Sequence, residues 1–143
     1  MDSHLSPAEI VDDLRRIHSD RIGIYTDALR NGKEMELDIK SIFERIMEES
    51  IKYQQQLNEK VSEEKNDNGK IYKAWADIKT KPVITGDKKT ILMNCMDGEL
   101  AVLNAYSMAL SFVHDKDIKE LLQDQQQKLQ QMHAHIRQYY NAQ

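Results

Sequence analysis

The sequence predicts an all-α protein built from two helical hairpins, and three observations lead there. Only 5 glycines and 2 prolines punctuate 143 residues, whereas an all-β chain needs turn residues at intervals of about 8–12 positions. Four long segments carry apolar residues at the helical period of about 3.6. Of the three connections between those segments, the first and last are short and the middle one is long. The length suits a single domain over residues 1–143, with a core large enough to fold without disulfide or metal staples.

Ser6-Pro7-Ala8-Glu9 reads as a capping box with proline at the first helical position, where a missing N–H costs nothing. That helix ends near Asn31-Gly32, a pair suited to the left-handed residue that follows a helix. Ile10, Leu14, Ile17, Ile24, Tyr25 and Ala28 share one side of it. A second helix spans about Met35 to Glu59, with Ile39, Ile42, Phe43, Ile46, Tyr53 and Leu57 as its stripe. The short link makes the two an antiparallel hairpin.

Residues 62–86 form the crossover. Their opening run, Ser62 to Gly69, offers no apolar surface to offset ordering entropy, so it is expected to be the most mobile stretch and the first cut by a protease. Ile71, Ala74, Trp75 and Ile78 then keep helical spacing for little more than two turns before Pro82 stops them. So short a helix is unstable alone and must dock, and its own four helices are the expected surface. A third long helix opens near Asp87 and carries Leu92, Cys95, Met96, Val102, Leu103, Tyr106, Ala109 and Leu110. The fourth starts beyond Asp115 or Asp117, with Ile118, Leu121, Leu122, Leu129, Met132, Ile136 and Tyr140 on one face. Two hairpins joined by a long crossover leave the second and third long helices parallel, which is the topology of ferritin-like folds.

Charge and composition narrow the function. A net charge of −4 and a pI near 5.7 supply no basic field for nucleic acid or an acidic membrane surface. No window reaches the ~18 apolar residues of a spanning helix, and Met1–Pro7 lacks the regions of a signal peptide, so a soluble cytoplasmic protein is expected. Cys95 is the lone cysteine, which rules out an intramolecular disulfide and a multi-thiolate metal site. It lies on a core stripe with no basic neighbour in its own turn, the setting of an inert thiol. His18 and His133 fall at the edges of their stripes, as hydrogen-bonded boundary residues would, while His114 and His135 project towards solvent or a loop. No nucleophile elbow, glycine-rich loop or phosphate cradle accompanies the serines and histidines.

The pattern Lys73-Ala74-Trp75 with Asp77-Ile78-Lys79, then Gly98-Glu99, Tyr106, Leu121-Leu122, Gln125 and His133, resembles an uncharacterised bacterial ferritin-like family. Asp20, Tyr25, Glu49, Ser50 and Tyr53 are the matching positions of the first half. The resemblance covers nearly the whole chain and implies a four-helix bundle with no assigned activity.

Whether such a bundle holds metal is a matter of its side chains. A di-iron or di-manganese centre takes a carboxylate from each of two helices and a Glu-x-x-His pair from each of the other two. The residues here that could serve are Asp20, Glu49, Glu99 and His133, yet Lys52 follows Glu49 by three positions and Gln130 precedes His133 by three. Neither pair exists. Glu99 projects onto the centre of the third long helix's stripe, and Arg21 onto that of the first, at similar heights. Buried charges demand compensation. The expectation is therefore a polar layer of Arg21, Glu99, Gln125 and Tyr106 in place of a metal centre, with no cofactor. It belongs to a non-catalytic structural or interaction protein that self-associates or binds a protein partner. The rival is a divergent iron or manganese carboxylate protein that handles iron or oxygen.

Overall fold

A computed structural model describes residues 6–32, 35–60, 69–78 and 86–143. Among them every regular element is helical: α1 (Pro7–Asn31), α2 (Leu37–Lys60), α3 (Lys70–Ile78), α4 (Lys88–Phe112) and α5 (Lys116–Asn141). No helix among the described residues is long and apolar enough to cross a membrane. The expectations for the polar run at 62–68 and for Pro82 lie outside the described residues.

Local chemistry sets the boundaries. The Ser6 hydroxyl accepts from the Glu9 N–H at 3.2 Å while the Glu9 carboxylate accepts from the Ser6 N–H at 3.1 Å, so two orphan donors of α1 are satisfied reciprocally. Asp87 and Asp115 cap α4 and α5 by accepting from Thr90 N–H at 2.9 Å and Ile118 N–H at 3.0 Å. Gly32 departs from expectation, because its φ of −92° is not left-handed. Space selects the glycine instead: a Cβ there would lie 2.8 Å from the Ala28 carbonyl oxygen. The next helix starts at Leu37 rather than Met35, since the Met35 N–H closes a turn onto the Gly32 carbonyl at 3.0 Å.

Cross-helix contacts fix the packing. Along α1, residues 15, 18 and 26 meet residues 58, 50 and 47 of α2, so the two helices run antiparallel. Against α4, residues 18, 21 and 25 meet 106, 99 and 95, again antiparallel. Residues 45 and 56 of α2 meet 135 and 125 of α5. Extensive packing also joins α4 to α5, and α3 lies against α1 and α4. The core forms two apolar clusters. One gathers Ile10, Leu14, Leu57, Ala105, Leu122 and the α3 side chains Ile71 and Trp75. The other gathers Ile42, Phe43, Ile46, Leu92 and Ile136. Trp75 is only 3% exposed, so α3 docks on its own chain.

Candidate functional site

Between the two clusters the interior turns polar. Arg21, the largest fully buried side chain, is supplied by the middle of α1 and is 1% exposed. Its Nε donates to Glu99 Oε2 at 3.1 Å and its Nη2 donates to Glu99 Oε1, a two-pronged pairing with the carboxylate of α4. The same Nη2 donates to Glu49 Oε1 of α2 at 3.0 Å. Tyr25 adds a 3.1 Å hydrogen bond to Glu99 and lies 3.4 Å from the Cys95 sulfur, while Tyr53 donates to Glu49 at 3.1 Å.

From Arg21 a second branch runs across the core. Its Nη1 donates to Ser50 Oγ at 2.9 Å, and Ser50 lies 2.9 Å from His18 Nδ1. His18 Nε2 is 2.7 Å from the Tyr106 hydroxyl, which donates to Gln125 Oε1 at 2.7 Å. Gln125 Nε2 donates in turn to the Tyr53 carbonyl at 3.3 Å and to Gln56 Oε1 at 3.0 Å. These partners fix the direction of every link. Because the Gln125 amide must turn its oxygen to Tyr106, the phenol proton is engaged there and the phenol oxygen accepts from His18 Nε2–H. The bare Nδ1 then accepts from the Ser50 hydroxyl, whose oxygen accepts from Arg21. No buried side-chain nitrogen or oxygen among the described residues lacks a partner.

Electrostatics follow from this packing. Burial first, and then the Arg21 charge, holds the His18 pKa well below the ordinary histidine value, so the imidazole is neutral. Burial alone would lower the pKa of Arg21, but the Glu99 and Glu49 carboxylates outweigh it and hold the guanidinium charged. Glu49 moves upward, through burial that Arg21 only partly offsets. One guanidinium facing two carboxylates leaves the layer with a residual affinity for a proton. Burial and the Glu99 charge push the Cys95 thiol up to about 12, which removes it as a nucleophile.

Arg21, Glu99, Tyr106 and Gln125 therefore lie in one network, but its wiring differs from the expected one. Tyr25, not Tyr106 or Gln125, is the second partner of Glu99; Tyr106 and Gln125 reach Arg21 only through His18 and Ser50. His18 is not a boundary residue, since it is wholly buried at the centre of the second branch. Val11, also wholly buried, carries the signal: it lies two turns before His18 on the same side of α1, so the buried face is wider than the stripe of Ile10, Leu14 and Ile17.

The four residues weighed for a metal do not converge. Glu49 and Glu99 meet on Arg21, whose Nη2 sits where a cation shared by the two carboxylates would sit. Asp20 accepts from the Tyr72 hydroxyl at 2.5 Å beside an open cleft of about 470 Å³ that Arg15, Arg16 and Gln54 also line. His133 is half-buried and lies 3.3 Å from Arg137 on its own helix. Among the described residues no group of three or more His, Cys, Asp or Glu could hold a metal ion. The side chains thus do not fit the di-metal centre of a ferritin-like protein. Compared with protein-family models, curated proteins and solved structures, the chain matches none.

Proposed function

We propose that this chain is a ferritin-like four-helix bundle with a structural or protein-interaction role, in which a charge-paired layer stands in place of the metal centre. The antiparallel contacts of the four long helices and the long crossover between α2 and α4 support the topology. The observation that carries the functional reading is the Arg21 guanidinium held by both Glu49 and Glu99. A fixed positive charge there pairs with both carboxylates and repels a dication. Each neighbouring group that could act in catalysis is engaged: the imidazole is locked neutral, the thiol protonated and the phenols hydrogen-bonded. A directional network of this kind admits one register of the helices, as a buried polar residue does in a coiled coil.

Metal analysis of protein purified without chelator tests the proposal. Iron and manganese well below one per chain are expected. Near-stoichiometric metal would overturn it in favour of a divergent carboxylate protein handling iron or oxygen.

A further inference from the structure

The open cleft beside Asp20 lies where the first turn of α3 meets α1 and α2, and its volume of about 470 Å³ is within the usual range for small-molecule sites. Tyr72 lines it, and α1 fixes where that ring lies. The wholly buried Asp13 caps the opening turn of α3: its Oδ2 accepts the Ile71 N–H at 3.0 Å and the Tyr72 N–H at 3.2 Å. The ring is then held at two points, with the Arg16 guanidinium 4.0 Å over its centroid and its hydroxyl donating to Asp20 Oδ2 at 2.5 Å. Gly69, at φ +48°, lets Arg16 approach, because a Cβ there would lie 2.9 Å from Nη1.

Arg16 and Asp20 lie at i, i+4 on α1, a spacing at which opposite charges pair across a helix surface. Tyr72 intervenes instead. Among the described residues no hydrogen bond or ion pair takes up the Arg16 N–H groups, and their planar edge matches a carboxylate. The other polar groups of the cleft are half used. Arg15 pairs with Asp12 at 3.1 Å and donates to Asn58 Oδ1 at 3.0 Å. Gln54 Nε2 donates to the Arg15 carbonyl at 3.1 Å and to Ser19 Oγ at 2.5 Å. Among the described residues these bonds leave the Gln54 amide oxygen as an acceptor, and the Asn58 amide and Ser19 hydroxyl protons as donors.

Charge decides what such a cleft takes. Asp12, Asp13 and Asp20 stand around it against Arg15 and Arg16, so the carboxylates outnumber the guanidinia and a purely anionic ligand is repelled. A purely cationic ligand meets the Arg16 charge. A zwitterion answers both. We infer that the cleft binds a free α-amino acid with a polar side chain, its carboxylate on Arg16 and its ammonium on Asp20 and the Gln54 amide oxygen. Tyr72 holds the two protein charges about one phenol group apart, the reach of an ammonium and a carboxylate on one carbon with a hydrogen bond at each end. Ser19 and Asn58 remain to receive the ligand's side chain, which is why that side chain is polar. The inference goes beyond the structural role proposed above and rests on none of the Arg21 layer.

Titration of the isotope-labelled, full-length protein with L-glutamine, followed by amide NMR shifts at low salt, tests it. Resonances of Arg16, Asp20, Gln54 and Tyr72 should shift together and saturate, with a midpoint of about 1 mM or below. N-acetyl-L-glutamine lacks the ammonium and L-glutaminamide lacks the carboxylate, so each should bind at least tenfold more weakly. Absence of saturation by about 20 mM overturns the inference. Equal binding of either blocked form overturns it as well, since the cleft would then be a site for one charge alone. Arg16→Gln and Asp20→Asn should each weaken L-glutamine at least tenfold, with circular dichroism checking that both fold, and unchanged binding in a folded variant is a third contrary result. The blocked ligands are compared on the unmodified protein, so the outcome does not depend on either variant. Metal content is untouched by any of these results, so this proposal and the charge-paired layer fail separately.

Discussion

The polar layer around Arg21 and the apolar cluster around Phe43 are buried to the same degree, yet they hold the helices by different physics. Phe43 and Ile46 contribute through area removed from water, which is non-directional and forgiving of shape within about one methylene. Arg21, Ser50, His18, Tyr106 and Gln125 contribute through donors matched to acceptors one by one. Removing a member there leaves its neighbour buried and unpaired. Hence the apolar cluster should yield gradually to substitution and the layer abruptly.

The largest expected effect breaks the layer at its hub. Arg21→Met leaves Glu99 uncompensated at 2% exposure and should cost about 3–5 kcal/mol in urea unfolding, against about 1 kcal/mol for Phe43→Leu. Similar losses for both would erase the contrast. Next comes Trp75→Ala, which empties the seat of α3 and should cost about 3–5 kcal/mol. An unchanged melting temperature would remove the anchoring role of that ring.

Acid sharpens the comparison in a third way. The pKa of His18 is lower folded than unfolded, so below about pH 6.5 the unfolded chain binds a proton that the folded chain does not. Stability should therefore fall as pH falls through that window, by up to about 1.4 kcal/mol per pH unit. His18→Gln should flatten this slope, whereas Phe43→Leu should leave it intact. A slope unchanged in His18→Gln would assign the effect elsewhere, His133 being the other histidine among the described residues whose pKa is lowered. The smallest effect expected is that of Tyr25→Phe. It removes one donor to Glu99 but keeps the ring 5.0 Å from Phe43, for about 1–2 kcal/mol.

The helices and the Arg21–Glu99 pair were legible in the sequence for the same reason: each depends on position within one helix. Capping residues sit at fixed offsets, and a charged residue at the centre of an apolar stripe must be buried with a partner. His18 and Ser50 were not legible as members of the layer, because their burial depends on how far the α1–α2 contact wraps around each helix. Asp13 was harder still. Its position beside Ile10 and Ile17 marks it as buried, but its role as a cap exists only once a segment 58 residues away folds against it. Gly32 shows the reverse case, where the residue type was read correctly as a helix end and the reason was wrong, since close packing rather than a positive φ selects it.

The central claim is that the guanidinium and the Glu99 carboxylate are buried because each compensates the other. A double-mutant cycle with Arg21→Met, Glu99→Gln and the two combined measures this most directly, by equilibrium urea unfolding at neutral pH. Glu49 helps to isolate the pair, since at 13% side-chain exposure it can reach water and retains the Tyr53 hydroxyl when Arg21 is gone. The predicted result is that each single change costs several kcal/mol while the double costs clearly less than their sum, a coupling of about 1.5–3 kcal/mol. Losses that add within about 0.5 kcal/mol would contradict it.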